Sequence, residues 1–229
     1  MHTFFISYGD EKYEKSKQRI TKEATAFGFD TVCIYDRTDL TDEFIERSCI
    51  DFSARGGGHW MYKPFVLVNA IAKMNYGDIG VYCDMGCTIG NTAKDREWWD
   101  QFISVLTSHD RDIILFEQKF TDAAYTKIEV FDYFGIDVES PIATSWQTYG
   151  GMFMFKKTEV AVALFQRWLD ILYENPLYFN DENTRMQHLG YVDHRHDQSI
   201  LSLLGKLCTR SYRIMHDASM PFKVSRLRE

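Results

Sequence analysis

The sequence predicts an α/β fold: a mainly parallel sheet covered by helices on both faces. Three observations carry this. Short apolar runs, of which Ile79–Cys83 is the clearest, read as buried strands and alternate with longer segments of helical period. The helical segments have their apolar residues on one face, as elements packed on a sheet require. No repeat, low-complexity linker or composition break divides the 229 residues, a length suited to one domain over 1–229.

The elements follow in order. Residues 3–7 form the first expected strand. The charged stretch 11–27 is a helix with Tyr13, Ile20, Ala24 and Phe27 on one face, and Gly28 suits its C-terminal cap. Thr31–Tyr35 is the second strand. Pro64 opens a helix whose Val66, Leu67, Ala70, Ile71 and Met74 form an apolar stripe. The strand Ile79–Cys83 is followed by a helix over 94–107 and a strand over 112–116. Residues 151–155 are strand-like. Residues 159–173 form a helix with Ala161, Leu164, Phe165, Trp168, Leu169 and Leu172 at core spacing, and Asp197–Leu207 is the last helix.

Composition narrows the function. At 45% hydrophobic and 15% aromatic residues the chain should fold rather than stay disordered. A formal charge of −7 argues against nucleic acid as the main partner, because phosphate contacts need a basic face. No apolar run approaches membrane-spanning length, and residues 1–7 lack the features of a signal peptide, so a cytoplasmic protein is expected. The five cysteines include no CxxC pair and read as reduced core thiols, with Cys33 and Cys83 in buried strands.

Chemistry concentrates in four places. Asp84 follows the Ile79–Cys83 strand and enters a turn containing Gly86. Ligands of open α/β sheets bind at that end of the strands, so Asp84 is a candidate ligand for Mg²⁺ or Mn²⁺ carrying phosphate oxygens; a turn or helix cap is the alternative. Lys63 lies between a glycine run, Gly56 to Gly58, and a helix start whose free N–H groups favour an anion; a solvated loop lysine is its plain counterpart. His194, Arg195, His196, Asp197 and Gln198 crowd one helix entrance, where they could bond several sugar hydroxyls, although Asp197 could simply cap the helix. Gly150 and Gly151 lead into a strand, where glycine marks either a ligand's close approach or a tight turn. The glycine run has no Gly-Lys-Ser/Thr ending, and no GxGxxG follows the first strand, which removes most of the weight from kinase, ATPase and dehydrogenase readings.

Together these motifs resemble the GT-A glycosyltransferases, single-domain nucleotide-sugar enzymes with a Rossmann-like sheet. The resemblance is narrower with small glycosyltransferases of bacterial surface-polysaccharide loci and large algal viruses. It rests on Gly58-x-Trp60-x-x-Lys63-Pro64, on Tyr82-x-Asp84-x-Gly86-Cys87, and on Arg195-His196-Asp197-Gln198-Ser199. It implies that Asp84 holds a divalent cation, Mn²⁺ or Mg²⁺, on the donor diphosphate, with Tyr82 in the same element. Lys63 would support the nucleotide, and Ser7, Tyr8 and Gly9 would touch its base and ribose. Asp197 and Gln198 would act at the donor sugar, Tyr149, Gly150 and Gly151 would line the acceptor side, and Arg195 and His196 would bond sugar hydroxyls. His216 is the positional candidate for a second metal ligand, against a simple loop histidine. Gly86 stands where such enzymes usually carry a second aspartate, which leaves fewer protein ligands for the metal.

The expected activity is sugar transfer from a nucleoside-diphosphate donor, expected to be UDP-linked, to a glycan acceptor. The Asp197–Gln198 resemblance favours retention of anomeric configuration; an inverting reaction with Asp197 as base is the alternative. Two other classes compete: a non-catalytic binding module of the same fold, and a metal-dependent nucleotidyl or phosphoryl transferase, which should want a second carboxylate near Asp84.

Overall fold

A computed structural model describes residues 1–108 and 110–225. In chain order its elements are β1 (Thr3–Tyr8), α1 (Glu14–Phe27), β2 (Thr31–Tyr35), α2 (Asp42–Ser48), a distorted turn α3 (Arg55–His59), α4 (Tyr62–Ala72), β3 (Ile79–Cys83), β4 (Cys87–Ile89), α5 (Ala93–Thr107), β5 (Ile113–Thr121), α6 (Asp122–Tyr125), α7 (Ile128–Phe134), α8 (Pro141–Thr144), β6 (Trp146–Lys156), α9 (Glu159–Glu174), α10 (Asp197–Leu207), β7 (Ser211–Met215) and β8 (Phe222–Val224).

Six strands form one sheet in the order β2-β1-β3-β6-β5-β7, and β4 pairs with β8 beside it. β1 runs parallel to β2 and β3, and β5 parallel to β7, while β6 is antiparallel to both β3 and β5. The sheet is therefore mainly parallel, as expected, with one reversed strand that apolar content could not reveal. Residues alternate between its faces, save where the β5–β6 register shifts beyond Leu115. Ile6, Tyr82, Leu115 and Phe153 point into a cluster with α4, α9 and α10. Phe5, Val81, Ile114 and Met154 point into the opposite cluster with α1 and α5. Trp168 of α9 has no exposed surface, so its truncation to Ala should cost ~3–5 kcal/mol.

The structure refines several element bounds. Gly28 caps α1 with φ of 90°, as its position suggested. α4 begins at Tyr62, two residues ahead of Pro64; the missing proline N–H costs nothing there, because the first four N–H groups of a helix have no partner within it. β6 reaches back to Trp146, so Gly150 and Gly151 lie inside the strand. β2 is an edge strand, and Cys33 is half-buried rather than core. Cys49 is exposed, while Cys83 and Cys87 are buried free thiols. Among the described residues no helix is long and apolar enough to cross a membrane.

β1 and β3 are parallel neighbours, pairing Ile6 with Tyr82. Their C-terminal ends therefore open side by side, and the segments after Tyr8 and after Cys83 share one edge of the sheet. That edge carries the site.

Candidate functional site

Lys63 is the centre of the arrangement. Its side chain is only 2% exposed, and its Nζ lies 3.1 Å from Asp84 Oδ1 and 2.7 Å from Asp197 Oδ2. The ammonium also donates to the Gly150 carbonyl at 2.9 Å. One buried cation thus joins four sequence segments: the glycine-run motif, the end of β3, the glycine pair of β6 and the start of α10. Burial by itself would lower the Lys63 pKa, but Asp197 and Asp84 outweigh it and raise the pKa above the ordinary lysine value, so Lys63 is charged.

The turn before Lys63 is unusual. Gly56, Gly57, Gly58, His59 and Trp60 have successive φ values of 68°, 65°, 97°, 53° and 56°. A left-handed run of this kind costs L-residues energy at each step, and three glycines remove most of that cost. The turn reverses the chain so that α4 starts with Lys63 aimed inward.

Asp84 sits at the mouth, with its side chain 32% exposed. Tyr82 donates its hydroxyl to Asp84 Oδ1 at 3.0 Å. Burial, with Asp84 second, holds the Tyr82 phenol far above its ordinary pKa, so it remains a donor. The described contacts of the Asp84 carboxylate are all made by Oδ1. Its Oδ2 points at Gly151, where a Cβ would approach it to 2.7 Å.

Asp197 is 3% exposed. It is the first residue of α10, behind His196 at the cap position. Burial raises its pKa to about 7, against the lowering effect of Lys63. The neighbouring Gln198 is held at both ends. It accepts from the Gly150 N–H at 3.0 Å and donates to Gln147 Oε1 at 2.6 Å. Gln147 in turn donates to Asp122 Oδ1 at 2.9 Å, and Asp122 is paired with Lys206 and accepts from Ser202. Because an amide has one donor end and one acceptor end, this chain sets the Gln198 orientation. A Cβ on Gly150 would lie 2.7 Å from Gln198 Cβ and 3.1 Å from Asp197 Oδ2. The two glycines thus serve close approach of side chains on either side of β6, rather than a tight turn.

The remaining candidates are less central. Ser7 is fully buried and donates to the Cys83 carbonyl at 2.6 Å, tying the ends of β1 and β3 together. Tyr8 stacks on Tyr62 at 3.7 Å between ring centroids, and Gly9 donates its N–H to the Tyr35 carbonyl. Arg195 lies over the Tyr125 ring at 4.7 Å. His194 is buried, accepts from the Lys127 N–H and meets the Tyr178 carbonyl, so it is absorbed in packing. His196 is buried and faces Asp181 at 2.7 Å; burial lowers its pKa to about 4. His216 follows β7 with its Nε2 on the Phe222 carbonyl at 2.9 Å, and Tyr149 lies 6.3 Å from it, centroid to centroid. Sequence reasoning missed Gln147, Asp122 and Asp181. A polar Gln within an apolar strand signals the first, while nothing local marks the other two.

The residues present fit a hard divalent cation. Asp84 Oδ2 is an oxygen donor at a partly open mouth, and such an ion keeps several waters and phosphate oxygens. The His216 Nε2 is engaged by the Phe222 carbonyl, which leaves only Nδ1 for an ion.

No protein-family profile matches the sequence, and no curated protein matches it. Solved structures do. A glycosyltransferase involved in the glycosylation of the major capsid of PBCV-1 is similar over 95% of this chain and 83% of its own, at 12% identity and a TM-score of 0.52. Mouse xyloside xylosyltransferase 1 is similar over 95% and 86%, at 10% identity and a TM-score of 0.50. GlyE of Streptococcus pneumoniae TIGR4, also a glycosyltransferase, is similar over 95% of this chain and 46% of its own, at 14% identity and a TM-score of 0.50. Identities of this size speak for the fold, and the fold of this chain is the GT-A α/β fold of glycosyltransferases.

Proposed function

We propose that the protein is a glycosyltransferase that moves a sugar from a nucleoside diphosphate, expected to be UDP, to a glycan acceptor with retention of configuration. The observation that carries this is the buried Lys63, shared by Asp84 and Asp197 at the C-terminal edge of a glycosyltransferase-type sheet. It links the motif proposed for the diphosphate to the motif proposed for the sugar.

Each residue then has a physical task. Asp84, with His216 as second candidate, would hold Mn²⁺ or Mg²⁺, which when bound supplies positive charge to the departing diphosphate. Lys63 places a fixed positive charge beside the same leaving group, in a site where little water screens it. Asp197 and Gln198 face the anomeric carbon. A carboxylate there stabilises positive charge developing on the sugar, and the Gly150–Gln147 clasp fixes the amide beside it. Tyr8 and Gly9 lie at the end of β1 for the base and ribose, with Ser7 bracing them from behind. Tyr149, Gly150 and Gly151 border the acceptor side, and Arg195 and His196 the sugar hydroxyls.

The test is hydrolysis of a panel of nucleotide sugars with and without Mn²⁺, with thermal-shift measurements on the free nucleoside diphosphates. Metal-dependent release of one sugar from one donor supports the proposal. Diphosphate binding without turnover would make the chain a binding module. Release of pyrophosphate from a nucleoside triphosphate would favour nucleotidyl transfer, the reading that the second carboxylate, Asp197, keeps open. Neither binding nor turnover with any donor would overturn the proposal.

A further inference from the structure

A second group of potential ligands lies beside the site and shares only His196 with the residues proposed to border the sugar. His59 belongs to the left-handed turn, His196 precedes α10, and Asp181 comes from the connection after α9. His59 Nε2 is 3.1 Å from Asp181 Oδ2, and His196 Nε2 is 2.7 Å from Asp181 Oδ1. The two imidazoles are nearly parallel, 4.8 Å apart with 26° between planes. One nitrogen from each ring and one carboxylate oxygen fall within 4.8 Å of one another.

His59 and His196 have φ of 53° and 54°, and His196 combines this with ψ of −123°, outside the left-handed helical region. Strain of this kind persists only where the surroundings enforce it. Here it turns both Nε2 atoms toward the same carboxylate. Asp181 is 56% exposed, so the open side of the group faces solvent.

We propose that His59, His196 and Asp181 form a binding site for a transition-metal ion of the Zn²⁺ type, separate from the hard-cation site at Asp84. Two imidazole nitrogens and one carboxylate oxygen suit Zn²⁺, Co²⁺ or Ni²⁺ and do not suit Mg²⁺ or Ca²⁺, which prefer oxygen alone. Three protein ligands leave a fourth position for water. In the metal-free group the Nε2 of each ring faces Asp181, and a bound ion would take the Nε2 lone pair of each ring, with the ring N–H on Nδ1. The ion would clip the connection after α9 to the turn before Lys63 and to the residue before Asp197. It would therefore brace the walls of the neighbouring site, His196 among them.

The experiment uses metal-stripped full-length protein carrying Asp84→Ala, which removes the hard-cation site, and calorimetric titration with Zn²⁺ at neutral pH. One Zn²⁺ per chain is expected, and Co²⁺ in its place should give the visible absorption of a low-coordinate site. Adding Asp181→Asn, an exposed and isosteric change, should weaken Zn²⁺ binding by at least ~100-fold. His59→Asn should do the same, since Asn tolerates positive φ. Should that variant fail to fold, Asp181→Asn decides alone. Absence of Zn²⁺ uptake by the folded Asp84→Ala protein would overturn the inference, as would unchanged affinity in Asp181→Asn. Neither result depends on sugar transfer, so this inference and the proposed function can fail independently.

Discussion

Asp197→Asn separates the electrostatics of the site from its architecture. In the folded protein burial raises the Asp197 pKa from 3.8 to about 7 even with Lys63 opposing. Below the lower value the carboxyl is protonated in both folded and unfolded chains and has no effect on stability. As the pH rises, the unfolded chain loses its proton first, which favours unfolding. The penalty grows until the folded group ionises near pH 7 and then levels off. A rise from 3.8 to about 7 corresponds, at ~1.4 kcal/mol per unit, to about 4 kcal/mol of stability lost across that window. Asn has nearly the same shape, still serves the helix start and does not titrate. In the variant Lys63 loses its nearer partner but keeps Asp84. That cost does not vary with pH while the ammonium stays charged, and so leaves the pH dependence to Asp197. The variant should therefore gain on the wild type by about 4 kcal/mol between about pH 4 and about pH 8, read from urea unfolding at each pH. Turnover should fall at least ~100-fold, because an amide neither takes a proton nor stabilises cationic charge. A stability difference that stays flat with pH would mean that Asp197 is not a buried titrating partner of Lys63. Normal turnover with a lowered melting temperature would reduce it to a structural residue.

Three further outcomes follow from the same geometry. Asp84→Ala should abolish Mn²⁺-dependent turnover with little change in melting temperature, since the side chain is partly exposed; a normal metal response would remove Asp84 from the diphosphate site. Lys63→Met strands a buried carboxylate and should cost ~3–5 kcal/mol, less at low pH where Asp197 takes a proton, and a second change, Asp197→Asn, should restore part of the loss in denaturant titrations. Gly151→Ala brings a Cβ to 2.7 Å from Asp84 Oδ2 and should weaken Mn²⁺ dependence while circular dichroism stays unchanged; full metal response would place the working oxygen elsewhere.

The helices and strands with local periodicity were readable from sequence because their signal lies within a few residues. Thr31–Tyr35, Ile79–Cys83 and Asp197–Leu207 begin and end where the pattern said. α2 was missed although Thr41 followed by Asp42 and Glu43 is a helix-start signal, because its few apolar residues form no clear stripe. The second half of β5, over 117–121, was missed because it is polar and held by pairing with β6. The direction of β6 was likewise invisible, since apolar content is the same whichever way a strand runs.

For the site, sequence alone determined which residues carry charge and which stretches let the backbone turn or approach closely. Asp84 at a strand end, Lys63 beside the glycines, and Asp197 with Gln198 at a helix entrance were all identifiable by local chemistry. What only the tertiary structure decided is that one ammonium lies between both carboxylates, although Lys63 and Asp197 are far apart in sequence. It also decided that Ser7 and His194 turn into packing while His59, Asp181 and His196 meet. The physical reason is that the strength of a charge pair depends on distance and on exclusion of water. Both are set by how β3, β6, α4 and α10 pack, which no short stretch of sequence contains.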